Sequence, residues 1–235
     1  MSRGQTGRPI AAASGPFGLF LVAALMAGLG GCAGIGERDQ ASRAAAENAR
    51  LGLGYMEQGD YDRAEETLHR ALGHDPEYVD AHHYLGELYR RQGEFARSQE
   101  HYAEALRLDG DDPALRNNHG VLLCSMGEVE AATREFMAAA GDRRYARRSQ
   151  ALENAADCHL GIGDPAEAAV LYQRARQRSP RRDALAIGEA RAHLLAGDPQ
   201  SSRRALNDYI EMRGERDGKA RELEADIAAA LEETR

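Results

Sequence analysis

The apolar and small residues of this chain recur at helical spacing in segments of about fourteen residues, each ended by a glycine and an acidic residue. These pairs are Gly59-Asp60, Gly93-Glu94, Gly127-Glu128, Gly163-Asp164 and Gly197-Asp198. Glycine can end a helix at positive φ, and the acidic side chain can cap the next helix. The pairs are 34, 34, 36 and 34 residues apart, and a period of this length predicts stacked helical hairpins.

The first two repeats carry matching residues at matching positions. The pairs are Leu51 and Leu85, Gly52 and Gly86, Tyr55 and Tyr89, Leu68 and Tyr102, and Ala71 and Ala105. Small residues stand where helices must approach closely, and large residues fill the space beside them. The pattern resembles the tetratricopeptide repeat (TPR). It predicts an all-α fold, a right-handed superhelix of antiparallel helical pairs.

The period divides the chain into five repeats followed by one helix. The predicted repeats are residues 45–78, 79–112, 113–146, 149–182 and 183–215, with two residues inserted after the third. The fifth is degenerate, because Glu189 and Ala190 stand where the first repeat has Leu51 and Gly52. Residues 216–235 are expected to supply a helix that caps the open end.

The first 31 residues have the features of an export signal. Arg3 and Arg8 precede an apolar run over residues 17–28. A membrane span needs about 20 apolar residues, so we expect this shorter run to be cleaved. Leu-Gly-Gly-Cys at 29–32 is typical of a lipoprotein, which makes Cys32 the predicted lipidation site. An ordinary signal peptide with an incidental cysteine is the alternative.

Lipidation would decide where the protein resides. Three acyl chains on Cys32 would hold it to a bilayer permanently. Ala33 follows where bacterial inner-membrane lipoproteins commonly have Asp, so resemblance to that sorting rule implies the periplasmic face of the outer membrane. Residues 32–44 would form the lipidated cysteine and a short tether, with the first helix beginning at Ala41.

Charge argues against nucleic acid as a partner. The formal charge is −8, and removing residues 1–31 takes away two arginines and no acid, giving −10. Arg143, Arg144, Arg147 and Arg148 do cluster between repeats three and four. We interpret them as a solvated rim that a partner could face, since charge runs between helices are usually solvated.

Motifs for catalysis, cofactors or metals are absent from the sequence. It has no glycine-rich phosphate loop, no cysteine pair at zinc spacing and no nucleophile elbow. His82 and His83 are adjacent, and neighbouring helical residues point about 100° apart, so they cannot readily chelate one ion. We therefore predict no enzyme, no metal, no cofactor and no small-molecule substrate.

Cys124 and Cys158 are the cysteines that remain after Cys32. An oxidising compartment would allow a disulfide between them. They lie on the first helices of adjacent repeats, but their repeat positions differ by two. A disulfide requires a short reach. We therefore expect two unbridged, small, buried residues, with a disulfide as the alternative.

Three stretches resemble the PilF/PilW type IV pilus biogenesis proteins. They are Leu-Gly-Leu-Gly-Tyr at 51–55, Arg-Asn-Asn-His-Gly at 116–120 and Tyr-Ala-Arg-Arg-Ser-Gln-Ala-Leu-Glu-Asn at 145–154. The resemblance covers residues 32 to about 211 and implies an outer-membrane lipoprotein. It also implies a pilotin, which assists localisation and multimerisation of the pilus secretin. A general periplasmic TPR adaptor is the alternative. The chain departs from that family at its end, which has one helix instead of a sixth pair.

A partner groove is predicted on the first helices of the repeats. Ala49, Leu53 and Met56 share one helix face and form an apolar stripe, expected to be exposed, with His83 and Glu87 at its rim. The alternative is that residues 33–44 fold back and cover the stripe, or that the stripe caps the stack. Asn118 and Asn154 occupy one repeat position, and their amides could bond the backbone of an extended partner. The alternative for them is a bond to the protein's own carbonyls.

Overall fold

The structure, a computed structural model, describes the backbone of residues 18–233 and the side chains of residues 37–233. Within that range the chain forms helices and no strand, which confirms the predicted all-α class. The helices are α1 (Gly18–Glu57), α2 (Tyr61–His74), α3 (Val79–Gln92), α4 (Phe95–Leu108), α5 (Pro113–Ser125), α6 (Val129–Gly141), α7 (Arg148–Gly161), α8 (Pro165–Arg178), α9 (Asp183–Leu195), α10 (Pro199–Arg213) and α11 (Gly218–Glu233).

The glycine-acid pairs close the five hairpins. Their glycines have φ between +77° and +81°, a region that a side chain would strain. Asp60, Asp164 and Asp198 cap the following helix by accepting a hydrogen bond from the backbone N–H three residues on. Glu94 and Glu128 make no such bond. The predicted capping therefore holds for the aspartates, which are preferred N-cap residues.

The core lies between the two helices of each pair and between successive pairs. Gly120 of α5 shows why some positions must be small: a β-carbon there would lie 2.8 Å from Cε1 of Phe136. Phe136 itself is fully buried in α6. The largest cluster of buried residues joins repeats three and four.

The helix contacts define a curved stack. The first helices of successive repeats contact each other from α1 to α7. The second helices make no comparable contact with one another in the described chain. The first helices therefore lie on the inside of the curve, and the surface they form over α3, α5 and α7 is called the concave face.

Helix α1 begins at Gly18, so the prediction that the first helix starts at Ala41 was wrong. The segment expected to be a tether is helical. Residues 37–44 contain no proline or glycine and are mostly good helix formers. This composition lets the helix of repeat one continue toward the N-terminus.

The expectation of two unbridged cysteines was also wrong. Cys124 and Cys158 form a disulfide, with their Cα atoms 5.8 Å apart, within the usual span of such bonds. Helices α5 and α7 contact each other directly. That contact brings the two sulfurs together although their repeat positions differ.

The fifth repeat keeps its hairpin despite its altered residues. Glu189 is only 7% exposed, yet its carboxylate accepts a hydrogen bond from Arg176 of α8 at 2.9 Å. Arg176 also pairs with Asp208 of α10 at 2.7 Å. A buried charge is tolerated when it is paired in this way. Helix α11 then packs on α10 and buries Ala220, Leu223 and Ile227.

A histidine cluster lies between repeats one and two. His82 Nε2 lies 3.0 Å from the carbonyl of Pro76, which can only accept, so His82 Nδ1 carries the lone pair. That atom lies 3.1 Å from Nδ1 of His101, which must donate. The His69 ring centroid is 6.2 Å from that of His101. Burial, reinforced by His82, His69 and Arg97, lowers the pKa of His101 to about 4.

This cluster predicts a loss of stability in acid. The folded pKa of His101 lies below the ordinary value of 6.5, so the unfolded chain binds more protons between the two values. The free energy of unfolding should fall as the pH drops through that window, by about 2 kcal/mol near pH 5 from this group. Urea titrations at several pH values measure it. His101→Phe should make the slope shallower, and an unchanged slope in that variant would contradict the assignment.

Candidate functional site

A row of polar side chains crosses the concave face from α3 to α7. Asn118 Nδ2 donates to His83 Nε2 at 2.7 Å, and Asn117 Nδ2 donates to Asn118 Oδ1 at 3.1 Å. Asn154 Nδ2 donates to Asn117 Oδ1 at 3.0 Å, and Gln150 Nε2 donates to Asn154 Oδ1 at 3.0 Å. These five residues form one connected chain, called here the polar ladder.

The repeat geometry produces the ladder. Asn118 and Asn154 hold the same position in repeats three and four, so stacking α5 beside α7 brings them onto one face. Asn117 precedes Asn118 and reaches across to α7. The ladder therefore follows from two adjacent asparagines on α5 and from Gln150 and Asn154, one helical turn apart, on α7.

The ladder orients its members and leaves part of their bonding capacity free. Asn117 is buried at 6% exposure, whereas Asn118 and Asn154 are half-buried. An asparagine amide has two N–H donors and two acceptor lone pairs. The ladder uses one of each on Asn118 and on Asn154, so both can still donate to and accept from a bound molecule.

Charged groups of α3 lie at one end of the ladder. Glu87 accepts hydrogen bonds from Arg90 at 2.8 Å and from Arg91 at 2.7 Å. Burial raises the pKa of Glu87, but the two arginines outweigh it and lower that pKa overall. Burial also lowers the pKa of His83, which keeps the ring neutral and able to accept from Asn118.

The predicted exposed stripe on repeat one was wrong. Ala49 is 1% and Met56 2% exposed, and both belong to the core cluster shared with α3. Leu53 is half-buried against the same cluster. The face assigned to solvent instead packs against the next first helix. Leu51, expected inside, is 48% exposed, because no helical pair of the described residues covers that side of α1.

The ladder connects His83, Asn118 and Asn154, and Glu87 lies one helical turn after His83 on α3. Asn118 and Asn154 bond neighbouring side chains and not backbone carbonyls, unlike the alternative considered for them. The sequence analysis did not predict Asn117 or Gln150 as site residues. The consecutive asparagines of α5 were a signal for Asn117. The side chain of Cys32 lies outside the described residues.

Two absences can be reported for the part of the chain that the structure describes. No helix there is long and apolar enough to cross a membrane. No group of three or more His, Cys, Asp or Glu side chains there could hold a metal ion.

The hairpin architecture defines a TPR solenoid, and comparison agrees. The tetratricopeptide repeat family matches residues 49–113 and 117–183, and a second tetratricopeptide repeat description matches residues 159–227. These matches span most of the helical pairs described above.

Individual relatives identify a more specific family within the TPR proteins. The type IV pilus assembly protein PilF of Pseudomonas aeruginosa is 30% identical over 173 residues, 71% of this chain and 69% of that protein. A solved PilF structure from the same organism matches with a TM-score of 0.69 at 25% identity, covering 83% of this chain and 86% of that one.

PilW, described as a widely conserved type IV pilus biogenesis factor, has the same fold. Its TM-score is 0.69 at 24% identity, covering 80% of this chain and 86% of that one. The chain thus belongs to the PilF/PilW family of type IV pilus biogenesis TPR proteins, which confirms the resemblance seen in the sequence.

Proposed function

We propose that this protein is a pilotin of the type IV pilus. It would be anchored by lipid at Cys32 to the periplasmic face of the outer membrane. There it would bind the secretin subunit and promote its localisation and multimerisation. The observation that carries the proposal is the polar ladder on the concave face of a pilus biogenesis TPR protein.

The polar ladder offers hydrogen-bonding groups that can bind the backbone of an extended peptide. Asn118 and Asn154 are held one repeat apart by the hydrogen bonds of the ladder, and each keeps a donor and an acceptor. An extended backbone offers alternating carbonyl and N–H groups, so two such amides can bind it with little dependence on its sequence. Glu87, Arg90 and Arg91 would add selection for charge at one end.

The asparagines of the ladder are already held in place before a partner binds, which favours binding on the concave face. The disulfide joins α5 and α7, the two helices that carry the asparagines. Side chains already fixed by neighbours lose little freedom when a partner binds. Secretin segments would therefore meet a groove whose amides need no rearrangement.

Deleting the gene should remove the secretin multimer from the outer membrane and abolish twitching motility. Denaturing gels of membrane fractions measure the multimer. Restoring the wild-type gene should restore it. Cys32→Ser should give folded protein but no multimer at the outer membrane, because the anchor is separate from the core. Unchanged multimers in the deletion strain would overturn the pilotin proposal.

A further inference from the structure

The loops that join successive repeats lie along one edge of the solenoid, because every first helix starts there and ends at a glycine-acid turn. Two loops of this edge are strongly basic, the one between repeats three and four and the one between repeats four and five. Seven arginines, called here the basic edge, lie in or beside these two loops: Arg143, Arg144, Arg147, Arg148, Arg178, Arg181 and Arg182.

The two loops form one surface. Ser179, after α8, lies with its Oγ 2.9 Å from Oγ of Ser149 at the start of α7. Arg182 also reaches back to Glu153 of α7 at 2.6 Å. The two loops that carry the arginines therefore lie side by side.

Much of this charge has no internal partner. Arg144 is paired with Asp142 at 2.7 Å, and Arg182 with Glu153. Four of the arginines are exposed, and their side chains form no ion pair or hydrogen bond within the described chain: Arg143, Arg147, Arg178 and Arg181. Four unpaired arginines in one patch of a chain with net charge −8 indicate a surface for anions.

The corresponding loops of the earlier repeats have the opposite sign. Residues 75–77 contain Asp75 and Glu77, and residues 109–112 contain Asp109, Asp111 and Asp112. The glycine-acid turns on the opposite edge of repeats three to five are also acidic. The positive charge is thus confined to one edge of the second half of the solenoid.

Helix α1 leaves the solenoid from this same edge. It begins at Gly18, well before residue 45, where repeat one is predicted to begin. Cys32 lies thirteen residues before that point, which is about 20 Å along a helix. The proposed lipid anchor therefore directs the inter-repeat edge toward the bilayer.

We propose that the basic edge docks on the anionic phospholipid headgroups of the membrane that holds the anchor. The guanidinium fork matches phosphate geometry, and exposed arginines near an anionic leaflet are attracted to it. The acidic loops of the first repeats are repelled, so repeats three to five tilt toward the bilayer. This orientation keeps the acidic turns of these repeats away from the surface. The inference rests on the proposed membrane attachment.

The test is arginine footprinting of the full-length lipoprotein in vesicles. Protein is reconstituted in phosphatidylcholine alone or in phosphatidylcholine with phosphatidylglycerol, and phenylglyoxal modification is read at each arginine by mass spectrometry. On anionic vesicles at low salt, Arg143, Arg147, Arg178 and Arg181 should react several-fold more slowly than on neutral vesicles. High salt should abolish the difference, because it screens exposed charges.

Exposed arginines away from the edge are the internal control. Arg134 of α6 and Arg203 of α10 should react equally on both vesicles. Equal reaction at the basic edge, or equal slowing at the controls, would overturn the docking. Protection by inorganic phosphate alone, without vesicles, would show simple anion binding and overturn it as well.

A variant separates docking from attachment. Arg143→Glu, Arg147→Glu, Arg178→Glu and Arg181→Glu together should leave the circular dichroism unchanged, because these exposed side chains form no hydrogen bond or ion pair within the described chain. The variant should still float with vesicles at high salt through its anchor. Its repeats three to five should no longer tilt toward the bilayer. The loss of tilt is measured as weaker fluorescence quenching of a dye on repeat four by labelled lipid. Retained tilt would contradict the proposal, whereas failure to float would instead count against the anchor.

Discussion

Phe136→Ala is expected to lower the free energy of unfolding by about 3 to 5 kcal/mol, the usual cost of emptying a large aromatic site. Phe136 is fully buried, and its ring lies against the bare backbone of Gly120. Gly120 has no side chain of its own to fill that space. Both adjacent repeats should lose contacts, because the cluster around Phe136 joins repeats three and four.

Phe95→Ala is the matched control. Phe95 begins α4 and is only half-buried, so its loss should cost clearly less. Urea unfolding followed by circular dichroism measures both variants. Equal destabilisation by the two variants would contradict the placement of Phe136 at the centre of the repeat three and four core.

Opening the Cys124–Cys158 disulfide is expected to destabilise the solenoid by about 2 to 4 kcal/mol. The cysteines are 34 residues apart, and a cross-link over a loop of that length strongly restricts the unfolded chain. Cys124→Ala with Cys158→Ala keeps both sites small and apolar, so the measured change reports the bond and not a buried polar group.

Thermal unfolding with and without dithiothreitol checks this result. The wild-type melting temperature should fall on reduction, and the double variant should melt low under both conditions. A reductant-insensitive wild type would show that the thiols are free. Binding by the ladder should also weaken on reduction, because α5 and α7 carry both asparagines.

The sequence predicted the solenoid well because its signals are local. Gly59 and the four equivalent glycines mark turns by backbone conformation alone, and Asp60 caps by a bond three residues away. Such features need no knowledge of what packs on the helix. The same holds for Gly120, whose small size follows from the repeat pattern.

The wrong predictions concern features that depend on how a helix packs against the neighbouring repeat. Whether Met56 meets solvent or α3 depends on how the first helices stack, and amphipathic spacing does not reveal that. The disulfide likewise depends on the approach of α5 to α7. Asn117 was missed because its partner, Asn154, comes from the following repeat.

Titration calorimetry of the purified protein with the periplasmic region of the secretin tests the central claim most directly. We predict saturable binding, weakened about tenfold or more by Asn118→Ala with Asn154→Ala, since each lost hydrogen bond is worth about 1 kcal/mol. Asn48→Ala with Asn207→Ala, off the concave face, should bind like wild type, and circular dichroism should confirm that all variants are folded. No binding by the wild type, or equal binding by a folded ladder variant, would contradict the account.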